Sequence, residues 1–252
     1  MIQLELTDKP IELTAKVQKE LTDKFIDSDK STDVWNTKFI REAVKKLAFG
    51  KCCFSEIKLD TKSTYTEIEH FYPKDLYPNE VVKWGNLLPS SKKCNTTKGK
   101  TDIKKETIIN PFFDNPKEHL YFENFRLYPK DNSTTGKNTI SIVALNDRLH
   151  FVSPRSEVSL KVLDLIEDFY IEYIENDGLS SLTPRKKVNR LNRIKGYFSD
   201  INRKTEFSAC ISSAVKDSIN FTNIISYLKE NNYWDEDFEK YETEILFCYL
   251  GK

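Results

Sequence analysis

From residue 153 onward, Leu160, Leu163, Ile166, Phe169, Tyr170 and Tyr173 recur at spacings of three and four, a period that gathers them on one face of a helix. That pattern commits the C-terminal part of the chain to helices. Thr183-Pro184 offers an N-cap threonine with proline at the first helical position, and Arg185 to Lys195 follows as a basic helix. Residues 1–50 also read as helical. Thr32 is placed to cap a helix with Trp35, Phe39, Ala43 and Leu47 at intervals of four, and Gly50 follows where a left-handed cap is expected.

The segment between these ends has a different character. Residues 51–152 contain all three histidines and are dense in Asn, Lys and Pro. Thr64 to Glu69 and Thr139 to Val143 are predicted strands. Asn95 to Lys98 reads as the start of a helix or a tight turn, and Asn110 to Pro116 as a rigid turn-rich stretch. The expected fold class is therefore α+β, with an N-terminal helical segment at 1–50, a central region at 51–155 and C-terminal helices at 156–252. No internal repeat is visible.

Bulk composition narrows the function classes. Thirty-nine basic and 39 acidic residues give zero formal net charge, so attraction to a polyanion must come from local basic segments. Lys92, Lys93, Lys98, Lys100, Lys104 and Lys105 form one such segment, with Asp102 as its single acid; Arg185 to Lys195 is the second. No run reaches the ~18 apolar residues of a membrane-spanning helix. Met1 to Leu6 lacks the apolar core of a leader, and five irregularly spaced cysteines do not form a disulfide framework. Reduced thiols in a cytoplasm are expected.

The chemistry concentrates in Glu67-Ile68-Glu69-His70-Phe71-Tyr72-Pro73-Lys74, then Trp84-Gly85-Asn86-Leu87-Leu88, then Cys94-Asn95-Thr96-Thr97-Lys98-Gly99-Lys100. A neutral imidazole can take a proton from water near neutral pH. Hard oxygen donors suit Mg²⁺ or Mn²⁺, which keep several waters and bind phosphate. An acid directly before His70, then Asn86, then Asn95 in a Lys- and Gly-rich turn resembles the HNH endonuclease motif. Each piece alone is common; their order and spacing make the signal specific.

The flanking sequence narrows the resemblance. Ile109-Asn110-Pro111-Phe112, Asp114-Asn115-Pro116, His119 to Phe122, and Thr139 to Asn146 with Arg148 and Arg155 resemble the HNH subunit of Septu-type and retron-associated antiphage systems, over roughly residues 38–156. The resemblance implies a ββα-metal core at about 51–110, flanked by N- and C-terminal helices. It also implies phosphodiester hydrolysis with one Mg²⁺ or Mn²⁺. In that reading His70 is the general base, Asn86 orients its loop, Glu69 and Asn95 hold the ion, and Lys92, Lys93, Lys98 and Lys100 meet phosphate. The implied partners are nucleic acid, DNA before RNA, and an ABC/SMC-like ATPase, with a retron in some systems; no membrane is implied.

Such nucleases carry two Cys-x-x-Cys pairs around a structural zinc. Here those positions read Cys52 and Ser55, then Ser91 and Cys94, and a hydroxyl is a poor zinc ligand beside a thiolate. No structural zinc is expected; Cys52, Cys53 and Cys94 leave at most a weak site, and packing of Phe54 is expected to hold the knuckle. His119 and His150 are expected in packing or turns. Two rival readings stand beside this one: a stand-alone HNH restriction enzyme, and a non-catalytic binding module that keeps the shape.

Overall fold

The computed structural model describes residues 1–62 and 64–252. It is an α+β architecture, rich in helix, with two small two-stranded sheets. Backbone contacts divide the chain into two units, Met1–Leu120 with Leu127–Asp147, and Tyr121–Arg126 with Arg148–Lys252.

In the first unit, α1 (Ala15–Asp27) starts where Thr14 Oγ1 accepts the Val17 amide, and it buries Phe25. Helix α2 is Lys38–Lys46 and buries Ile40 and Val44. The expected Thr32-capped helix therefore starts later, and Trp35 lies ahead of it. The Phe39/Ala43 phase loses to Ile40 and Val44, which carry the core contact. Gly50 does take a positive φ of 73°, but in the turns beyond α2 rather than as its cap.

Strands β1 (Glu67–His70) and β2 (Leu87–Ser90) pair antiparallel, with Glu69 opposite Leu88 and His70 opposite Leu87. The strand is shorter than the sequence suggests at its N-terminal end. Pro89 lacks an N–H for a second neighbour, which a two-stranded sheet does not need, and its carbonyl accepts the Cys53 amide at 2.9 Å. Directly after β2 comes α3 (Lys92–Lys98). Ser91 Oγ caps it by accepting the Cys94 amide, and Gly99 ends it at φ 51°. Asn95 to Lys98 is thus the second half of a helix. A buried ionic cluster closes the neighbouring turn, where Glu56 takes both the Lys51 ammonium at 3.2 Å and the Met1 amine at 2.8 Å.

Strands β3 (Leu120–Glu123) and β4 (Arg126–Pro129) form the second sheet. Thr139 to Val143, predicted as a strand, belongs to helix α4 (Thr134–Ile142). Ser133 caps it, and the Thr139 hydroxyl donates to the Thr135 carbonyl at 2.7 Å while accepting the Ile109 amide at 2.8 Å. Capping and a tertiary hydrogen bond override the β-branched composition.

The second unit is helical: α5 (Ser153–Phe169), continued by a wide turn at Tyr170–Ile174, then α6 (Pro184–Ser199), α7 (Ser208–Lys216), α8 (Ile219–Glu230) and α9 (Glu236–Cys248). Ile166 and Phe169 of the expected stripe are buried in its core, with Phe198, Phe221, Ile224, Phe238 and Ile245. Pro184 sits in the first turn of α6, as its sequence predicts. No described helix is long and apolar enough to cross a membrane.

Gly136 in the first turn of α4 marks the tightest approach in the first unit. A Cβ there would stand 2.2 Å from the His119 carbonyl oxygen, which is backbone and cannot swing aside. Gly136→Ala is expected to lower unfolding stability by roughly 2–3 kcal/mol, as overpacking does. A urea midpoint equal to wild type would show instead that α4 shifts freely.

Candidate active site

Alternation along β1 sends Glu67 and Glu69 to one face. The residues that follow His70 turn back to meet Asn86. That amide holds the turn on both sides: Oδ1 accepts the Tyr72 amide at 2.7 Å, and Nδ2 donates to the Tyr72 and Glu80 carbonyls at 3.2 and 2.9 Å. Three backbone groups with fixed donor and acceptor roles leave no choice of amide orientation. Asn86 is buried and touches the loop leaving His70.

His70 lines a cleft of about 550 Å³, shared with Glu67, Glu69, Asn95, Trp35, Arg41, Lys74, Asp75 and Lys100. Its Nε2 lies 2.9 Å from the Val81 carbonyl oxygen. A carbonyl only accepts, so Nε2 carries the proton and Nδ1 keeps its lone pair. The Trp35 ring meets the imidazole edge to face, centroids 4.7 Å apart at 88°. Behind Trp35 stands buried Phe25 at 5.8 Å, and the Lys74 ammonium lies 5.0 Å from the Trp35 ring centroid. One hydrogen bond and one ring contact thus fix the imidazole in position and plane. Burial pulls the His70 pKa down to about 4, against the Val81 bond, which acts the other way. The ring is neutral at pH 7.

Glu69 is buried, and its Oε1 takes the Lys98 ammonium at 2.9 Å, while the same ammonium donates to the His70 carbonyl at 2.8 Å. Burial lifts the Glu69 carboxyl to about 7 even with that cation beside it. Its other oxygen, Oε2, is buried with no hydrogen-bond partner. Asn95, one turn before Lys98 on α3, donates Nδ2 to Glu67 Oε2 at 2.6 Å. With nitrogen held on a carboxylate, its Oδ1 is left as a hard donor in the cleft. Among the described residues no three of His, Cys, Asp and Glu converge on one point as a metal cage would require.

The lysines separate. Lys98 is 1% exposed and committed to Glu69, so the expected phosphate contact there has no geometric basis. Lys100 is exposed at the cleft mouth and pairs with Asp75. Lys93 pairs with Asp147 at 2.8 Å, and Lys92 is exposed on the first turn of α3. In the Arg185 to Lys195 segment, Lys187 donates to Tyr233, Arg193 bonds Tyr197, and Lys195 pairs with Asp235 and Asp237. Much of that charge is used inside the helical unit. His119 bonds Ser133 at 2.8 Å, and His150 is exposed beside Phe151.

Cys52, Ser55, Ser91 and Cys94 are all buried. The Ser55 amide points at Cys52 Sγ (3.5 Å), and Cys52 Sγ shares a hydrogen with Ser90 Oγ at 3.9 Å. Burial pushes the Cys53 and Cys94 thiols well up. At Cys52 burial acts the same way, but hydrogen bonds with Cys53, Cys94 and Ser55 outweigh it and bring that thiol down. The turn is held by Phe54, fully buried, and by the backbone bond from Cys53 to Pro89.

Sequence reading missed Trp35, Glu67 and the inward role of Lys98. Glu67 was findable, because a Glu-x-Glu repeat on a strand puts both acids on one face.

No protein-family model matches the chain. A Septu protein PtuB of Bacillus thuringiensis is 34% identical over 241 residues, covering 95% of this chain and 91% of that protein. The chain belongs to the Septu PtuB family. A second Septu protein PtuB, from Bacillus mycoides (strain KBAB4), is 29% identical over 181 residues, 60% of this chain and 59% of that protein. The first PtuB alignment is long enough to take in both units.

Two expectations follow from the buried charges. Lys98→Met leaves the Glu69 carboxylate without its cation, so at pH 8 urea unfolding should show a loss of roughly 3–5 kcal/mol. The loss should shrink at pH 5.5, where the carboxyl holds its proton; a pH-independent loss would mean that Lys98 matters only through packing. His70 sets the opposite trend. Its folded pKa of about 4 lies below the unfolded 6.5, so its contribution is full above pH 6.5 and is lost as pH falls to 4. The stability gap between metal-free wild type and His70→Asn should therefore narrow by up to roughly 3 kcal/mol across that range. A constant gap would show that the imidazole titrates as if in water.

Proposed function

We propose that this chain is a divalent-cation-dependent endonuclease of the HNH, ββα-metal class. It serves as the nuclease of a Septu antiphage defence system, in complex with an ABC/SMC-like ATPase. The observation that carries the reading is His70: neutral, held as the Nε2–H tautomer with Nδ1 unprotonated, and lining one cleft with Glu69 and Asn95.

The donor set fits one hard cation. Glu69 Oε2 is a buried oxygen without a partner, and Asn95 Oδ1 is a second oxygen fixed by the Glu67 bond. These two residues would hold the ion, with water and the substrate phosphate filling its other positions. When bound, Mg²⁺ or Mn²⁺ supplies charge neutralisation at the phosphate and at the leaving oxygen.

The side chains of the chain do the rest. His70 Nδ1 accepts a proton from water as its oxygen attacks phosphorus, and Val81 stabilises the resulting imidazolium through Nε2–H. Asn86 keeps the loop from moving as charge builds on the ring. Lys98 neutralises Glu69 from within the protein. Lys100 and Arg41 at the cleft supply cations for the phosphate backbone without reading sequence. DNA is the expected polymer.

Plasmid DNA and a structured RNA, each with Mg²⁺, Mn²⁺ or EDTA and with and without the genomically neighbouring ATPase, test the reading. Wild type should cut DNA only with a divalent ion, and His70→Ala should lower the rate at least about a hundredfold. Cutting that persists in EDTA or in His70→Ala, or no cutting by wild type with its partner present, would sink it.

A further inference from the structure

A second cavity, about 690 Å³, opens on the other side of the His70 turn within the same unit. Glu69 and His70 line the cleft, whereas the next two residues, Phe71 and Tyr72, line this cavity. Only about 7 Å of extended backbone separates His70 from Tyr72, and the Asn86 amide clamps that stretch. A strand whose phosphate lies at His70 has its neighbouring nucleotide within reach of the cavity.

The walls suit a nucleobase. Phe113 stands at the mouth, 62% exposed, yet it is held in place. Its amide donates to the Asn110 carbonyl at 3.0 Å, and its ring closes over Gly85, where a Cβ would lie 3.2 Å from Cζ. Tyr72 supplies a second aromatic surface. Asn110 is 5% exposed; its Oδ1 accepts the Phe112 amide at 3.1 Å, which leaves the Nδ2 hydrogens for the edge of a base. Glu80 and Lys83 neutralise each other at 3.0 Å. Lys104 makes no ion pair among the described residues and lies 4.3 Å from the Tyr77 ring centroid. Aromatic faces, an amide edge and a cation held on aromatic rings, here Lys104 over Tyr72 and Tyr77, are how proteins take unpaired bases with their phosphates.

We propose that this cavity is a nucleobase subsite, and that it takes one unpaired base of the strand being cut. The position of that strand rests on the nuclease reading; the subsite itself does not require catalysis. The consequence for substrate class is direct: a base inside this cavity has left its duplex, so single-stranded or locally opened nucleic acid is preferred.

The test uses full-length His70→Ala protein in EDTA, where nothing is cut. The probe is a short oligodeoxythymidylate carrying one 2-aminopurine, whose emission falls on stacking. Single-stranded probe should be quenched and should bind at least about fivefold tighter than its duplex. Phe113→Ala should weaken single-strand binding about five- to twentyfold and abolish the quench, and Phe113→Tyr should restore both. An abasic probe should bind both proteins equally. Competition by ATP at an affinity above that of the probe would assign the base to a free nucleotide instead of the strand. Equal binding and quenching by Phe113→Ala and its parent would overturn the subsite. Cleavage is scored separately with wild type and Mg²⁺. Stacking without cleavage sinks the nuclease reading alone; cleavage without stacking sinks the subsite alone.

Discussion

The ammonium of Lys98 holds the geometry of the cleft together. It is buried and reaches from the end of α3 to two successive residues of β1, the Glu69 carboxylate and the His70 carbonyl. Taking an ammonium and a carboxylate out of water costs several kcal/mol each, and only a short, hydrogen-bonded contact offsets that. The helix is thereby locked to the strand at a fixed register. Asn95, one turn earlier on α3, is then carried to Glu67, two residues earlier on β1. Two parallel ties, one ionic and one through an amide, set the spacing between the groups that face the cleft.

The same contact explains why Glu69 differs from an ordinary acid. Lys98 satisfies one oxygen and leaves the other buried and bare, and burial still lifts the carboxyl to about 7. A group in that state invites a further positive charge. Strain of this kind concentrates at functional positions because the fold elsewhere over-determines it. Here the supporting parts are the Asn86 clamp and the Phe25–Trp35–His70 ring contacts.

The sequence revealed the parts of this site that depend on residue identity in order: Glu69-His70, Asn86 and Asn95 meet in one region, and the C-terminal stripe is a helical core. It hid what depends on tertiary contact. Trp35 fits a four-residue spacing with Phe39, so it reads as a helix face, but Ile40 and Val44 take the core and leave Trp35 free to meet His70. Thr139 to Val143 has strand composition, yet a serine cap and the Ile109 hydrogen bond make it helix. Lys98 looks like one more surface cation among six. Only the alignment of α3 on β1 turns it inward, and no local pattern encodes that alignment.

The serines at 55 and 91 show how the knuckle is kept in shape. Ser91 is the N-cap of α3, accepting the Cys94 amide at 3.3 Å, and serine is among the strongest cap residues whereas cysteine is not. Ser55 lies in a turn whose backbone is already bonded: Cys52 N to the Ile57 carbonyl, Glu56 N to the Cys52 carbonyl, and Cys53 N to Pro89 on β2. The first two bonds close the turn on itself, and the third ties it to the strand pair. The buried Phe54 and the ionic contacts of Glu56 with Lys51 and Met1 add packing and charge on the same turn. Capping, backbone hydrogen bonds and burial therefore all act on this one turn and on the start of α3. That is why β1, β2 and α3 stay in register around Glu69 and His70.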